Sequence, residues 1–320
     1  MDTPVYRRLL LALKVGIFIF MSFVIYRRLA SVQSFVGSLD LFIERFSGGN
    51  IALLALSVIL MPVNWLLEAT KWKILLKHSS PVTLRAALRS VLGGLSIGFA
   101  TPARVGEFAG RVMFLHPGER VDGIYLSAIG GIAQSVVTFL TALFMLRFYS
   151  GEAEAFFSPY SYIGFALLAF VLIALYISFE QVVDWLHHRG LRFDNYIIDT
   201  AKTPHRNDKW LVFGTSFCRY TVYVLQYYLL LRFAGIEGRV FELISAISLV
   251  LFLQSVSPLI PLTDLTLRGG IALLVFRGCG PDMALSVFMV PVLLWIINLL
   301  LPALVGYFYI LTLHADDTAQ

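Results

Sequence analysis

Residues 99 to 111 read F-A-T-P-A-R-V-G-E-F-A-G-R and place charge inside a sequence that is otherwise typical of a membrane helix. Pro102 lacks a backbone N–H and cannot continue the preceding apolar helix regularly. It suits the first turn of a new helix that Thr101 caps. The stretch therefore predicts a helix that is broken near Pro102 and Gly106. At membrane depth the N-terminus of the second half-helix would present N–H groups and a positive dipole end, which favour an anion.

The charged residues of this stretch are candidates for a binding site. Charge within a membrane is costly, so Arg104 and Glu107 are functional candidates. They are three residues apart, and an ordinary helical ion pair is the structural alternative. Arg111 lies one turn further along the same face. Its guanidinium matches phosphate oxygens, while extension of the side chain to the membrane interface is an equal alternative.

The composition predicts an all-α polytopic membrane protein. The chain has 320 residues, of which 58% are hydrophobic and 14% charged, and a mean hydropathy of +0.79. These values are too apolar for a soluble domain of this size. The net charge of +5 indicates cytoplasmic Lys/Arg loops and contact with anionic lipid, and no nucleic-acid module is found. Cys218 and Cys279 lack any metal or disulfide spacing, so we expect neither a metal nor a cofactor.

Apolar segments predict six to eight spans in addition to the broken helices. The clearest spans lie near residues 9–26, 51–67, 124–148, 160–179, 210–233 and 283–313. The last segment is long for one span, so Pro291 and Pro302 predict a kink or a division. Basic residues between Lys71 and Arg89 place that end of the second span, and the N-terminus, in the cytoplasm. We therefore expect an integral protein of the cytoplasmic membrane, with a polar cytoplasmic segment from Glu180 to Lys209.

Two broken helices occupy matching positions in the chain. The first is the glycine-rich segment 82–100 with the break at Pro102, and the second is the segment 240–257 with breaks at Pro258 and Pro261. We expect both to be re-entrant hairpins, with full spans as the alternative.

These segments predict an inverted repeat within a single transmembrane domain. Repeat A covers about residues 51–148, a linking span and loop cover 149–209, and repeat B covers 210–313. Broken helices in matching positions of two such repeats indicate a transporter with its site between them.

Further candidate residues lie outside the first break. Asp264 and Arg268, at positions i and i+4 after the second break, form either an ion pair or a second anion site, with the structural reading slightly favoured. Arg219 lies well inside its predicted span. Asn64 lies on one helical face with Glu68 and is a further candidate for substrate binding.

Other polar and aromatic residues of the same helices fit the membrane interface. Glu68 and Lys71 share a helical face with Asn64, and a position at the membrane interface is the alternative for both. Trp65, Trp72, Tyr227 and Tyr228 are assigned to the aromatic belt in preference to a substrate cage.

A family resemblance rests on a few of these residues. Asn64-Trp65, Lys71-Trp72 and above all P-A-R-V-G-E at 102–107 resemble the transmembrane, flippase-like region of lysylphosphatidylglycerol synthases and its stand-alone relatives. The resemblance implies two re-entrant elements in an inverted repeat. It also implies lipid translocation: aminoacylated phosphatidylglycerol in the fused enzymes, and often unidentified lipids in the stand-alone members.

The resemblance covers about Arg8 to Leu313, and the chain departs from the family at two places. It ends at Gln320, which leaves no room for the aminoacyl-transfer domain, so we expect no synthase activity; a membrane-embedded lipid transferase is the alternative to a protein without enzymatic activity. Its second break reads P-L-T-D-L-T-L-R-G-G at 261–270, where relatives tend to carry a glycine-rich version with a glutamate.

These observations predict a translocase of an anionic or aminoacylated phospholipid, or of another phosphate-bearing lipid. Arg104 and Arg268 would hold the phosphate, and Glu107 would balance Arg104 or meet a cationic head group. The expected partners are membrane lipids, with a separate lipid-modifying enzyme as a further option. The alternatives are an ion-coupled transporter of a small solute, in which Glu107 or Asp264 carries a proton, and an accessory protein of envelope-lipid synthesis.

Overall fold

A computed structural model describes residues 19, 23, 26, 35–101, 104–149, 159–188, 204–257 and 264–317. Regular structure in these ranges is helical, with no strand, so the predicted all-α class is confirmed. The predicted first span, the prolines 102, 258 and 261, and most of the polar segment before residue 204 lie outside the described residues.

Twelve α-helices are described in this part of the chain. In chain order they are α1 (Phe35–Glu44), α2 (Ile51–Leu75), α3 (Leu84–Ala100), α4 (Gly106–Val112), α5 (Arg120–Met145), α6 (Pro159–Ile177), α7 (Phe179–His188), α8 (Arg206–Phe233), α9 (Val240–Val256), α10 (Asp264–Val275), α11 (Ala284–Trp295) and α12 (Leu301–Asp317). Three described segments are long and apolar enough to cross a membrane: Ile51–His78, Pro117–Phe148 and Pro281–Leu311. The protein is therefore an all-α polytopic membrane protein, and the total of six to eight spans remains a prediction.

Helix α2 is longer than the predicted span. It continues from residue 67 through E-A-T-K-W-K-I-L to Leu75. The charged residues of this extension do not end the helix, since glutamate and lysine are good helix formers. Glu68 and Lys71 are buried and ion-paired with each other.

The described residues belong to two compact units. Unit 1 comprises Met1–Leu60, Phe144–Phe157 and Val224–Asn298, and unit 2 comprises the remaining three segments. The segments of unit 2 are Met61–Leu143, Ser158–Tyr223 and Leu299–Gln320. The repeat boundaries at 51–148 and 210–313 remain a prediction.

Unit 2 contains a helical hairpin formed by α3 and α4. A Cβ added to Gly94 would lie 2.5 Å from Arg111 Cγ and 2.7 Å from the Glu107 carbonyl oxygen. A Cβ on Gly98 would lie 2.8 Å from Glu107 Cβ. Later residues of α3 thus face earlier residues of α4, so the two helices run antiparallel. The glycines permit this close approach, as the sequence predicted.

Thr101 connects the two arms of the hairpin. It caps the C-terminus of α3, where its backbone N–H donates to the Gly98 carbonyl oxygen. Its hydroxyl accepts a hydrogen bond of 2.9 Å from the N–H of Gly106, the first residue of α4. The prediction that Thr101 is the N-cap of the second helix is wrong, because Thr101 is the C-cap of α3 and Val105 is the N-cap of α4. The Thr101 hydroxyl nevertheless connects the two helices, since it also donates to the Gly98 carbonyl oxygen at 3.2 Å.

The long C-terminal segment is divided, as predicted. Helix α11 ends at Trp295, a π-helical turn covers Ile296–Leu300, and α12 follows. Pro302 would clash with the carbonyl group of residue 298 in a regular α-helix, and a π turn removes that clash. Pro291 lies inside α11 and does not end it.

Glycines also set the packing of later helices within each unit. In unit 2, a Cβ on Gly306 of α12 would overlap the backbone carbonyl group of Leu92 in α3, so these helices touch through their backbones. In unit 1, a Cβ on Gly269 of α10 would collide with the ring of Phe288 in α11. The first contact involves two backbones, and the second involves a side chain.

Candidate functional site

Six ionisable side chains of unit 2 form one connected group, here called the charged cluster. They come from α2, from the hairpin and its turn, and from α8. Its members are Glu68, Lys71, Arg104, Glu107, Arg111 and Arg219. Four of these residues were predicted from the sequence, and the structure brings all four together with Glu68 and Lys71.

Glu68 is the centre of the charged cluster. Its carboxylate lies 2.7 Å from Lys71 Nζ, 2.8 Å from Arg111 Nη2 and 3.1 Å from Arg219 Nη1. Only 3% of its side chain is exposed. A buried carboxylate requires such partners, because an unpaired charge at this depth would be strongly unfavourable.

Glu107 extends the cluster to the turn of the hairpin. Its two carboxylate oxygens each accept a 2.7 Å hydrogen bond, one from Arg111 and one from Arg104. Arg111 therefore lies between two glutamates and does not extend to the membrane interface. The predicted Arg104–Glu107 ion pair is present, but it is one part of a larger network.

Arg219 is held by neutral groups as well as by Glu68. Its Nε donates a 2.8 Å hydrogen bond to Asn64 Oδ1, and its guanidinium carbon lies 5.3 Å from the ring centre of Trp65. Asn64 is fully buried. Asn64 therefore orients the Arg219 side chain. It contributes to the predicted site by supporting this arginine.

The hairpin is tied to α2 through Arg111. The Arg111 guanidinium carbon lies 6.0 Å from the ring centre of Trp72. Trp72 Nε1 donates to Ser90 Oγ at 2.9 Å, and Ser90 Oγ donates to the Arg111 carbonyl oxygen at 2.8 Å. These contacts fix the orientation of Arg111 from its backbone to its guanidinium.

The interface alternative for Glu68 and Lys71 is wrong, and so is the aromatic-belt assignment of three of the four aromatic residues; Tyr228 is half-buried. Lys71 and Glu68 are buried, as are Trp65, Trp72 and Tyr227. Hydrophobicity and distance from a helix end cannot distinguish a residue at the membrane surface from one that faces a neighbouring helix. The spacing of Asn64, Glu68 and Lys71 at i, i+4 and i+7 was the available signal, because it puts three polar groups on one face.

The charged cluster carries an excess of positive charge. It has four cationic side chains and two carboxylates, which leaves a net charge of about +2 when Lys71 is protonated. Arg104 and Arg219 are the more exposed cations, with 29% and 23% of their side chains accessible. The positive excess therefore reaches a surface that a ligand can approach.

Arg104 has an unusual backbone. Its φ of +57° is the only positive value at a non-glycine residue in the described ranges. This left-handed conformation costs an ordinary residue roughly 1–2 kcal/mol and occurs often at functional sites. Arg104 Nε is also buried and has no hydrogen-bond partner among the described residues. A strained residue with an unsatisfied donor is well suited to bind an anion.

Unit 1 contains a smaller group, here called the polar cluster. Arg268 Nε lies 2.8 Å from Asp264 Oδ1, and Arg268 Nη1 donates to Gln254 Oε1 at 3.2 Å. Trp295 Nε1 donates to the other Asp264 oxygen at 3.0 Å. The predicted Asp264–Arg268 pair is present, and the structure adds Gln254 and Trp295. One cation and one carboxylate make this cluster neutral.

The turn Leu76–His78, which follows α2, is also joined to α8 outside the predicted spans. Asp208, in the first turn of α8, accepts hydrogen bonds of 2.8 Å from His78 and 3.0 Å from Lys77. Desolvation opposes ionisation of Asp208, but these hydrogen bonds outweigh it and hold the pKa of the carboxyl group below its usual value. This contact helps to hold Arg219 and Glu68 on facing helices.

A cavity of about 560 Å³ is also present in unit 2. It lies among α5, α6 and α8, with Leu140, Ile173 and Trp210 in its walls and the Glu180–Lys209 ion pair, 2.8 Å long, at its edge. No member of the charged cluster lines it. Its volume is therefore separate from the predicted site.

Comparison with curated proteins gives no match. A family model described as the lysylphosphatidylglycerol synthase transmembrane region matches residues 11–306. This range includes the charged cluster, the polar cluster and both predicted breaks. The protein belongs to the family of the lysylphosphatidylglycerol synthase transmembrane region.

Proposed function

We propose that this protein is a translocase of the cytoplasmic membrane that binds the phosphate group of an anionic lipid at the charged cluster. The observation that carries the proposal is the positive excess of four cations over two carboxylates within apolar helices. Uncompensated charge in such surroundings is unfavourable. A bound anion would remove that cost, and a lipid phosphate is the anion that a membrane supplies.

Arg104 is the proposed primary phosphate ligand. Its Nη2 is engaged by Glu107, while its Nε has no partner in the described part of the chain. A guanidinium can bind two phosphate oxygens through neighbouring N–H groups. Glu107 holds the guanidinium in place, and its second oxygen connects Arg104 to Arg111.

Arg219 is the proposed second ligand, and the buried residues support both arginines. Asn64 and Trp65 restrict the Arg219 side chain, and Glu68 connects it to Arg111. A site restricted in this way loses little conformational freedom on binding, which favours affinity. The proposed activity moves the lipid without changing it covalently, with the N-terminus of the protein in the cytoplasm.

The first test identifies lipids that co-purify with the protein. Wild type, Arg104→Ala and Glu107→Gln are purified identically and compared by mass spectrometry. Arg239→Ala is the matched control, because the Arg239 side chain is 88% exposed. We expect one class of anionic or aminoacylated lipid to be enriched with wild type and the control, and lost from the two cluster variants.

The second test measures transport of that lipid class. A fluorescent analogue is placed in one leaflet of proteoliposomes, and its appearance in the other leaflet is followed by chemical quenching. Glu107→Gln should insert normally and transport slowly. Identical bulk lipid in all four samples, together with normal transport by Glu107→Gln, would contradict the proposal and favour a transporter of a soluble anion.

A further inference from the structure

Lys71 differs chemically from the other cations of the charged cluster. A guanidinium stays protonated in proteins, whereas a buried lysine can release its proton. Lys71 lies in α2 with 3% of its side chain exposed. It is therefore the member of the cluster whose positive charge can be removed without moving a side chain.

Fewer acceptors surround the Lys71 amine than an ammonium group can use. Its Nζ lies 2.7 Å from Glu68 Oε2 and 3.4 Å from the Gly130 carbonyl oxygen, and these are its two acceptors among the described residues. A neutral amine has two N–H groups, which these acceptors satisfy, and an ammonium group has three. The protonated form therefore keeps one N–H without an acceptor in a buried position.

Two of the three charges that face Lys71 oppose its protonation when no anion is bound. Arg111 on α4 and Arg219 on α8 oppose it, whereas Glu68 on its own helix favours it. Beyond them, Glu107 and Arg104 compensate each other. Without Lys71 the cluster already has a net charge of about +1, so protonation of Lys71 raises an existing positive excess. A bound monoanion favours protonation of Lys71, because it lowers the net charge of the cluster by one.

We propose that Lys71 binds a proton when the anionic lipid binds and releases it when the lipid leaves, an inference that rests on the proposed function. The proton adds to the amine lone pair, and the lipid adds one negative charge. The net charge of the cluster then stays near +1 in the empty and loaded states. The lipid and the proton thus occupy the site together, and a pH difference across the membrane biases lipid movement.

The test measures proton uptake on lipid binding. Purified protein in weakly buffered detergent is mixed with dioctanoyl phosphatidylglycerol, whose phosphodiester does not titrate near neutral pH, and a pH indicator reports protons taken up. Binding is measured in parallel from about pH 6 to about pH 10, a range that approaches the usual lysine pKa. Dioctanoyl phosphatidylcholine tests the need for net charge, and glycerophosphoglycerol tests the head group without acyl chains.

Three variants separate the role of Lys71 from general effects. Lys71→Arg keeps a permanent charge, Lys71→Met removes it, and Lys73→Arg is the control at an exposed position two residues away. Wild type and Lys73→Arg should bind at most about one additional proton per bound lipid. Their affinity for the lipid should fall by at most about tenfold per pH unit as Lys71 loses its proton. Lys71→Arg should bind without proton uptake, and Lys71→Met should bind weakly at every pH.

Different failures are distinguishable. Lipid binding by wild type without proton uptake, or unchanged uptake in Lys71→Arg or Lys71→Met, would overturn the role of Lys71 and leave the proposed function standing. Equal uptake with glycerophosphoglycerol would support the proton site and contradict the lipid assignment. Failure of wild type to bind either molecule would overturn both proposals.

Discussion

The charged cluster of unit 2 and the polar cluster of unit 1 both follow a break between two helices. Each cluster contains an arginine that is ion-paired with a nearby carboxylate. Arg104 lies just before the helix that carries its partner Glu107, and Arg268 lies on the same helix as its partner Asp264. In the polar cluster the partners of Arg268 and Asp264 are neutral side chains. In the charged cluster, further charged residues from α2 and α8 join the pair.

The two clusters therefore differ in net charge: one is neutral and the other is positive. The polar cluster is electrically neutral, so its ion pair can serve mainly to hold α10 against its neighbours. The charged cluster is not neutral, because its cations outnumber its carboxylates by two. An ion pair near a helix break is therefore weak evidence for binding by itself, and the net charge of the whole cluster is the stronger criterion.

The largest expected difference between the clusters concerns folding stability. Glu68→Gln leaves three cations of the charged cluster without their shared carboxylate and should cost about 3–5 kcal/mol of stability. Asp264→Asn leaves Arg268 with Gln254 and should cost about 1–3 kcal/mol. Thermal unfolding of both variants in the same detergent measures the difference. Equal losses would show that the two clusters do not differ in the way their charges suggest.

The next difference concerns lipid affinity. Arg104→Lys loses the guanidinium fork and should weaken binding of the co-purifying lipid about tenfold to a hundredfold, equivalent to about 1.5–3 kcal/mol. Arg268→Lys, the corresponding change in the polar cluster, should alter affinity by no more than about twofold. Titration of each purified variant with the lipid gives the two constants. Weaker binding by Arg268→Lys would assign the polar cluster to the binding site as well.

A smaller difference concerns the glycines beside each cluster. A Cβ at Gly94 would meet the Glu107 carbonyl oxygen at 2.7 Å, and a backbone atom cannot rotate away. A Cβ at Gly269 would meet the ring of Phe288, which can turn. Gly94→Ala should therefore cost about 1–3 kcal/mol and reduce lipid binding, while Gly269→Ala should cost less and preserve binding. Unfolding and binding measurements on both variants test this order, and the reverse order would be inconsistent with the hairpin packing.

The smallest expected effect is the difference in stability between a glycine and an alanine variant at each arginine. Its sign should be opposite at the two positions. At Arg104, with φ of +57°, glycine should be more stable than alanine by about 1 kcal/mol. At Arg268, inside helix α10, alanine should be more stable than glycine by about 0.5–1 kcal/mol. Comparison of the four variants by thermal unfolding tests both signs. Greater stability of Arg104→Ala than of Arg104→Gly would show that the left-handed turn is not retained.

The sequence was sufficient to predict the local features of the fold. Long apolar segments require helices in a membrane, because every backbone group must find its partner within the segment. The glycine-mediated approach of α3 and α4 and the division of the segment 283–313 also depend on neighbouring residues in the chain. These features could therefore be predicted from composition, spacing and the position of proline.

The members of the charged cluster were predicted less completely. Arg104, Glu107 and Arg111 lie within eight residues of one another, and their proximity is visible in the sequence. Arg219 and Glu68 are 151 positions apart, and no local pattern shows that they meet. The membrane interface stayed open as an alternative for Glu68 and Lys71 for the same reason: a helical face shows which residues point the same way, but not what they face.

The sequence by itself determined the all-α class, the first break and the candidate charges around it, since these depend on hydrophobicity and on interactions between residues close in the chain. Only the tertiary structure decided that Glu68 is shared by three cations and that Asn64 supports Arg219. It also decided that one cluster is neutral and the other positive. Net charge at a buried site is a sum over helices distant in sequence, and only packing determines which helices contribute to it.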